Sequence, residues 1–204
     1  MHRPPAGHLS SEELAVSATS DYADEVASLV AELRALGLSP ILVGGMALAL
    51  LGSQRVTRAF DFVIARPEQR LDALVDVLYS RGLELASRLN DAGAVVATID
   101  SRRIAAIRLK IDAPSSAYFF NRSTGLRVDL LFDFPIRAAE LASEATTIPI
   151  RSRVLQVASE KDLLRLKRLA KQRRSSPADV ADIAFLEARR HSTRAKRTKG
   201  RASK

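Results

Sequence analysis

With 204 residues, 47% of them hydrophobic, the chain can bury one good core, or a core plus a small helical annex, and one compact domain is the expectation. It contains no cysteine, which excludes disulfides, thiolate metal sites and cysteine nucleophiles together and fits a reducing cytoplasm. The formal charge of +9 suggests nucleic acid as a partner until it is located: eight Lys or Arg and no acid lie between Arg189 and Lys204, so the rest of the chain is nearly neutral.

The opening residues, MHRPPAGHLSSEELAVSATS, hold no apolar core of signal-peptide length, and no apolar run approaches a bilayer span. A soluble, cytoplasmic protein with no membrane partner is expected. Residues 1–19 read as an N-terminal extension. From 20 to 36, Val26, Leu29, Val30, Leu33 and Leu36 recur at helical spacing, with Ser20 as a cap and Gly37 just past the end. "PILV" reads as a short buried strand running into Gly44 and Gly45, and "MALALL" as a short helix closed by Gly52. Residues 57–64 alternate as a strand, and Pro67 opens a helix to about Ser80 that Gly82 stops. Residues 83–101 are ambiguous. "RIAAIRLKI" and "GLRVDLLFDF" read as the next strands, separated by a Pro-Ser-Ser turn and a loop. After "TIPIRSRVLQVA" two helices follow, one capped by Ser159 with Asp162 three residues on, the other by Ser176 with Pro177 and Asp179. This gives an α/β (α+β) fold: a mixed-sheet core over 20–158, a helical annex over 159–188, and a basic tail over 189–204. The tail lacks an apolar period, so disorder is expected there, serving either solubility or a loose grip on nucleic-acid phosphates. A second basic cluster, Arg165 to Arg174, lies inside a predicted helix.

The acids fall on definite faces. A strand has period two, so Thr57, Ala59, Asp61 and Val63 share one face while Phe60, Phe62 and Ile64 share the other. The aromatic face is the core side. Residues 126–134 repeat the arrangement, with Leu126, Val128, Leu130, Phe132 and Phe134 on one face and Arg127, Asp129, Leu131 and Asp133 on the other. Asp129 can therefore face Asp61 across a sheet. Carboxylates brought together on neighbouring strands repel unless cations lie between them, which is how a Mg²⁺ site for phosphate chemistry is built. Upstream, Gly44 and Gly45 follow a strand and open a helix, where the absence of side chains and the free N–H groups of the first turn suit a phosphate.

This order of parts resembles the DNA polymerase β-like nucleotidyltransferase superfamily, in particular its minimal bacterial branch related to AbiEii-type toxins. That family is marked by a Gly-Gly or Gly-Ser turn followed, roughly ten to thirteen residues later, by an acid, an apolar residue and a second acid. Here Gly44 and Gly45 match, 13 residues separate Gly45 from position 59, and the acid pair reads Ala59, Phe60, Asp61. The third family carboxylate falls on Asp129, and a family lysine and aspartate on successive annex helices fall on Lys167 and Asp182, with Asp179 beside them. The resemblance covers roughly residues 40–65 and 124–187.

It implies transfer of a nucleoside monophosphate from a nucleoside triphosphate (NTP) to an acceptor, with two Mg²⁺ ions stabilising attacking and leaving oxygens. Asp61, Asp129, Lys167 and Asp182 would serve catalysis, Asp61 and Asp129 holding metal. Gly44, Gly45, Arg55, Thr57 and Lys167 would bind the nucleotide. The acceptor would be an RNA such as tRNA or a protein hydroxyl, and the activity that of the toxin in a toxin–antitoxin pair, with a cognate antitoxin as partner. Ala59 departs from the pattern, since a methyl cannot ligate metal, and the chain as written is expected to be impaired. Because every other motif residue is intact, a silencing substitution explains Ala59 better than the decay of a pseudoenzyme. Two other readings stay open: a non-catalytic nucleotide- or partner-binding module on the same fold, and a nucleic-acid binder working through its tail.

Overall fold

A computed structural model describes residues 11–54, 57–173 and 176–201. In chain order the helices are α1 (Ser11–Ala35), α2 (Gly44–Leu50), α3 (Leu71–Ser80), α4 (Arg102–Asp112), α5 (Ala138–Ser143), α6 (Glu160–Arg173) and α7 (Pro177–Arg201). The strands are β1 (Ile41–Val43), β2 (Ala59–Ile64), β3 (Glu84–Leu89), β4 (Val95–Ile99), β5 (Ser116–Phe120), β6 (Arg127–Phe132), β7 (Thr146–Ile150) and β8 (Arg153–Val157). They form one mixed sheet in the order β4-β3-β5-β6-β2-β1-β8-β7. Its two parallel pairings, β2 with β6 and β1 with β8, lie at the centre, where strands must be covered on both faces.

The core is built on the aromatic face that the alternation in β2 and β6 marks. Phe60, Phe62 and Phe119 are fully buried against Leu29 and Leu33 of α1 and Leu74 and Leu78 of α3. At about 1.5–3 kcal/mol for each large apolar side chain removed from water, this cluster alone fixes which face of the sheet points inward. Among the described residues no helix is long and apolar enough to cross a membrane.

Several elements differ from the expectation. Helix α1 begins at Ser11 rather than after Ser20, so the described part of the stretch read as an extension, 11–19, is helical. "RIAAIRLKI", read as a strand from its β-branched residues, is α4. The Ser101 hydroxyl accepts from the Ile104 amide to start it, and Ala105, Ala106 and Leu109 are its buried side, while Ile104, Ile107 and Ile111 are exposed. The isoleucines recur at helical spacing, but on the outside. The loop expected before β6 contains β5, and the ambiguous stretch 83–101 is the β3–β4 hairpin. Pro67 precedes one 3-10 turn, Glu68–Arg70, before α3. The basic tail expected to be disordered is the far part of α7 as far as Arg201. Ala, Arg and Lys are strong helix formers, and a nucleated helix extends into them at little cost.

The annex is tied to the core at specific points. Ser159 caps α6 as expected, accepting from the Asp162 amide at 3.2 Å and donating to its carboxylate at 2.7 Å. Arg189 of α7 donates to the Leu51 carbonyl at 2.7 Å and to Glu160 at 2.9 Å, bridging α7 to the end of α2 and the start of α6.

Candidate active site

One row of residues crosses four neighbouring strands. Register sets Val43 of β1 opposite Asp61 of β2, Asp61 opposite Asp129 of β6, and Asp129 opposite Tyr118 of β5. The two carboxylates thus lie side by side on the face away from Phe60 and Phe62, as period-two alternation requires. Asp129 is 5% exposed. Burial holds its carboxyl above the ordinary range, against the opposing pull of the Arg127 guanidinium.

Arg127, two residues before Asp129 on the same face, grips that carboxylate with both arms. Its Nε donates to Oδ1 at 2.7 Å and its Nη2 to Oδ2 at 2.8 Å, the bidentate geometry that makes Arg–carboxylate pairs strong. Its Nη1 donates to the Gly93 carbonyl in the β3–β4 turn at 2.7 Å, and the guanidinium carbon lies 4.8 Å from the Tyr118 ring centroid. Across the parallel ladder, the register partner of Arg127 is Ala59. Where the resemblance leads one to expect an acid, the residue across the ladder from Arg127 is therefore one with only a methyl side chain.

Gly44 stands at the junction of β1 and α2 with φ +69°, and a Cβ built there would lie 2.0 Å from Asp61 Oδ2 and 2.6 Å from its Cγ. The glycine is required twice over, by the left-handed backbone and by the carboxylate lying against it. Gly45 is buried one residue further on in α2.

Lys167 faces inward from α6 and is 7% exposed. Its Nζ lies 2.7 Å from Asp182 Oδ2 and 3.2 Å from Asp179 Oδ1, both acids on α7 and both almost wholly buried. Lys167 thus bridges both aspartates and ties α6 to α7. The surrounding basic cluster is also largely committed. Arg165 pairs with Glu140, and Arg168 with Glu187 at 2.7 Å.

These parts meet in a cleft of about 310 Å³ between the sheet and α6. Gly44, Asp61, Asp129, Arg127 and Lys167 form its polar end, and Leu131, Phe134, Pro135, Leu166, Leu169 and Ala170 its apolar end. The size and the split lining suit a small-molecule site with a few placed polar groups. Of the expected residues, the cleft gathers Gly44, Asp61, Asp129 and Lys167, with Asp182 behind the lysine. Thr57 instead turns its hydroxyl to the Ala59 amide at 3.4 Å, and Arg55 lies outside the described residues. Asp133 has φ +51° and accepts from the Ala138 amide at 2.8 Å, bracing the turn into α5.

The donor set of this chain does not fit two Mg²⁺ ions. Two carboxylates converge, both oxygens of one are engaged by Arg127, and the third position is Ala59. Sequence reading assigned Arg127 to the Asp129 face without a role. The signal was there: Arg and Asp two apart on one strand project side by side. Tyr118 had no such signal, because β5 itself was read as loop.

No family model matches the chain, and no curated protein does. Among solved structures, it is similar to an antigenic nucleotidyltransferase-like protein from Paracoccidioides brasiliensis, at 22% identity and a TM-score of 0.52 over 87% of this chain and 77% of that one. It is also similar to the antibiotic-resistance factor ANT(2'')-Ia, at 12% identity and a TM-score of 0.51 over 92% of this chain and 96% of that one. The chain shares its fold with these two nucleotidyltransferase-like and resistance-factor structures.

Proposed function

We propose that this fold serves transfer of a nucleoside monophosphate from an NTP, and that the chain as written retains the nucleotide site while Ala59 impairs the transfer. The observation that carries the reading is the register pairing of Asp61 with Asp129 beside Gly44, in a cleft that Lys167 closes. In the reaction, an acceptor hydroxyl oxygen bonds to the α-phosphorus, the α–β phosphoanhydride bond breaks, pyrophosphate leaves, and the acceptor loses its proton. Lys167 contributes positive charge at the cleft wall and is held in place by Asp179 and Asp182. An acid at position 59 would lie on the same strand face as Asp61 and opposite Arg127. It would complete, with Asp61 and Asp129, the three-carboxylate set that holds Mg²⁺ in such enzymes.

For the acceptor we favour an RNA such as tRNA, or a protein hydroxyl, as for the minimal AbiEii-related toxins, with a cognate antitoxin as partner and the cytoplasm as the place of action. Support comes from the basic run of α7 beyond Arg189, since small acceptors need no extended positive surface. A second reading, a non-catalytic nucleotide-binding module, is favoured by one feature: the Arg127 clamp already neutralises Asp129 without any added cation. Calorimetry with NTPs, followed by transfer assays on Ala59→Asp with cellular RNA and cell protein as acceptors, tests both. Absence of nucleotide binding at millimolar concentration would sink both. Binding without transfer by Ala59→Asp would leave the module.

A further inference from the structure

The apolar end of the cleft has a feature that phosphate chemistry does not use. Phe134, half-buried just after β6, carries the Arg173 guanidinium over its ring, with 4.7 Å from the guanidinium carbon to the ring centroid. Arg173 is the last residue of α6, six residues beyond Lys167, so one helix delivers a cation to each end of the cleft. Around the pair, Leu131, Pro135, Leu166 and Ala170 present no hydrogen-bonding side chain. The guanidinium laid over the ring offers its outer planar face, in a cleft also lined by aliphatic groups, as a surface that matches a flat, apolar-faced ring.

We propose that Arg173, backed by Phe134, forms a stacking clamp for the nucleobase of the bound nucleotide, the base lying on the outer face of the guanidinium. This rests on the nucleotide reading above and adds to it the subsite that separates a nucleoside triphosphate from bare triphosphate. Stacking on an aromatic or guanidinium plane is tolerant of base identity, because every base has a π-face. The clamp therefore selects for the presence of a base, and Leu131 and Leu166 fill the remaining contact.

The test compares ATP with inorganic tripolyphosphate, each titrated calorimetrically at millimolar Mg²⁺ into the unaltered chain, Phe134→Leu and Arg173→Lys. Leucine keeps the apolar volume without the π-face, and lysine keeps the charge without the plane; melting curves of both variants establish that they fold. The unaltered chain should bind ATP more tightly than tripolyphosphate. Each variant should lose about tenfold in ATP affinity, given ~1–3 kcal/mol per stacked base, while tripolyphosphate affinity stays unchanged. Equal losses for both ligands, or no loss for either, would overturn the clamp while leaving the nucleotide site standing. An unaltered chain that binds neither ligand would overturn the nucleotide reading itself, and the clamp with it.

Discussion

Replacing Gly44 with alanine probes the contact on which the polar end of the cleft depends. At φ +69° an L-residue bears a steric penalty of about 1–2 kcal/mol. The added methyl would also stand 2.6 Å from Asp61 Cγ and 3.0 Å from its Cβ, too close to be relieved by moving only the carboxylate oxygens. Asp61 must leave its rotamer, at a further ~0.5–1.5 kcal/mol. The total of about 1.5–3.5 kcal/mol should lower the melting temperature by roughly 3–14 °C for a domain of this size. Gly52→Ala is the control, because Gly52 also has positive φ (+94°) but a Cβ there meets nothing within 4 Å. Thermal melts of both variants, repeated in an Asp61→Ala background, should show a larger loss for Gly44→Ala that shrinks when the carboxylate is gone. If the two glycine variants melted alike, with no coupling between positions 44 and 61, the contact would have no energetic standing.

Ala59→Asp should raise nucleotide transfer by about 10²–10³-fold, the scale of one charge-stabilising group at a reacting centre, and Asp61→Asn in that background should return it to baseline, read with radiolabelled NTPs. Lys167→Met should destabilise the fold by ~3–5 kcal/mol, because Asp179 and Asp182 lose a buried cation; urea denaturation checks this, and a loss under 1 kcal/mol would mean the network is solvated. Truncation after His191, which spares the Arg189 anchor, should flatten the salt dependence of RNA binding by about 0.7 in log–log slope for each lost phosphate contact. Filter binding across a salt series measures that slope, and an unchanged slope would make the basic run a solubility device.

The central strands were legible because their chemistry and their period agree. In β2 and β6, phenylalanines and aliphatics alternate with acids, and period two assigned Asp61 and Asp129 to one face before any pairing was known. Lys167 was legible as a residue bordering the buried stripe of α6, though its binding to both α7 aspartates depends on how two helices meet and has no local signature. Helix α4 was misread because its exposed face carries Ile104, Ile107 and Ile111, so hydrophobicity marked the wrong side. The role of Arg127 was hidden by the same logic that placed it: alternation gives a face, whereas the bidentate grip and the contact to Gly93 need the edge hairpin that packs beside it. The far part of α7 was missed because helix propensity without an apolar stripe resembles a disordered charge run.

The parallel pairing of β2 with β6 also sets when the site can exist. Parallel neighbours cannot be joined by a tight turn, and here the connection includes α3, the β3–β4 hairpin, α4 and β5. Asp61 and Asp129 therefore remain apart until all of that chain has been synthesised and has found its place, and Lys167 and Asp182 arrive later still. The carboxylate row can therefore form as soon as β6 is in place, whereas the cleft wall that carries Lys167 needs α6 and α7 packed together.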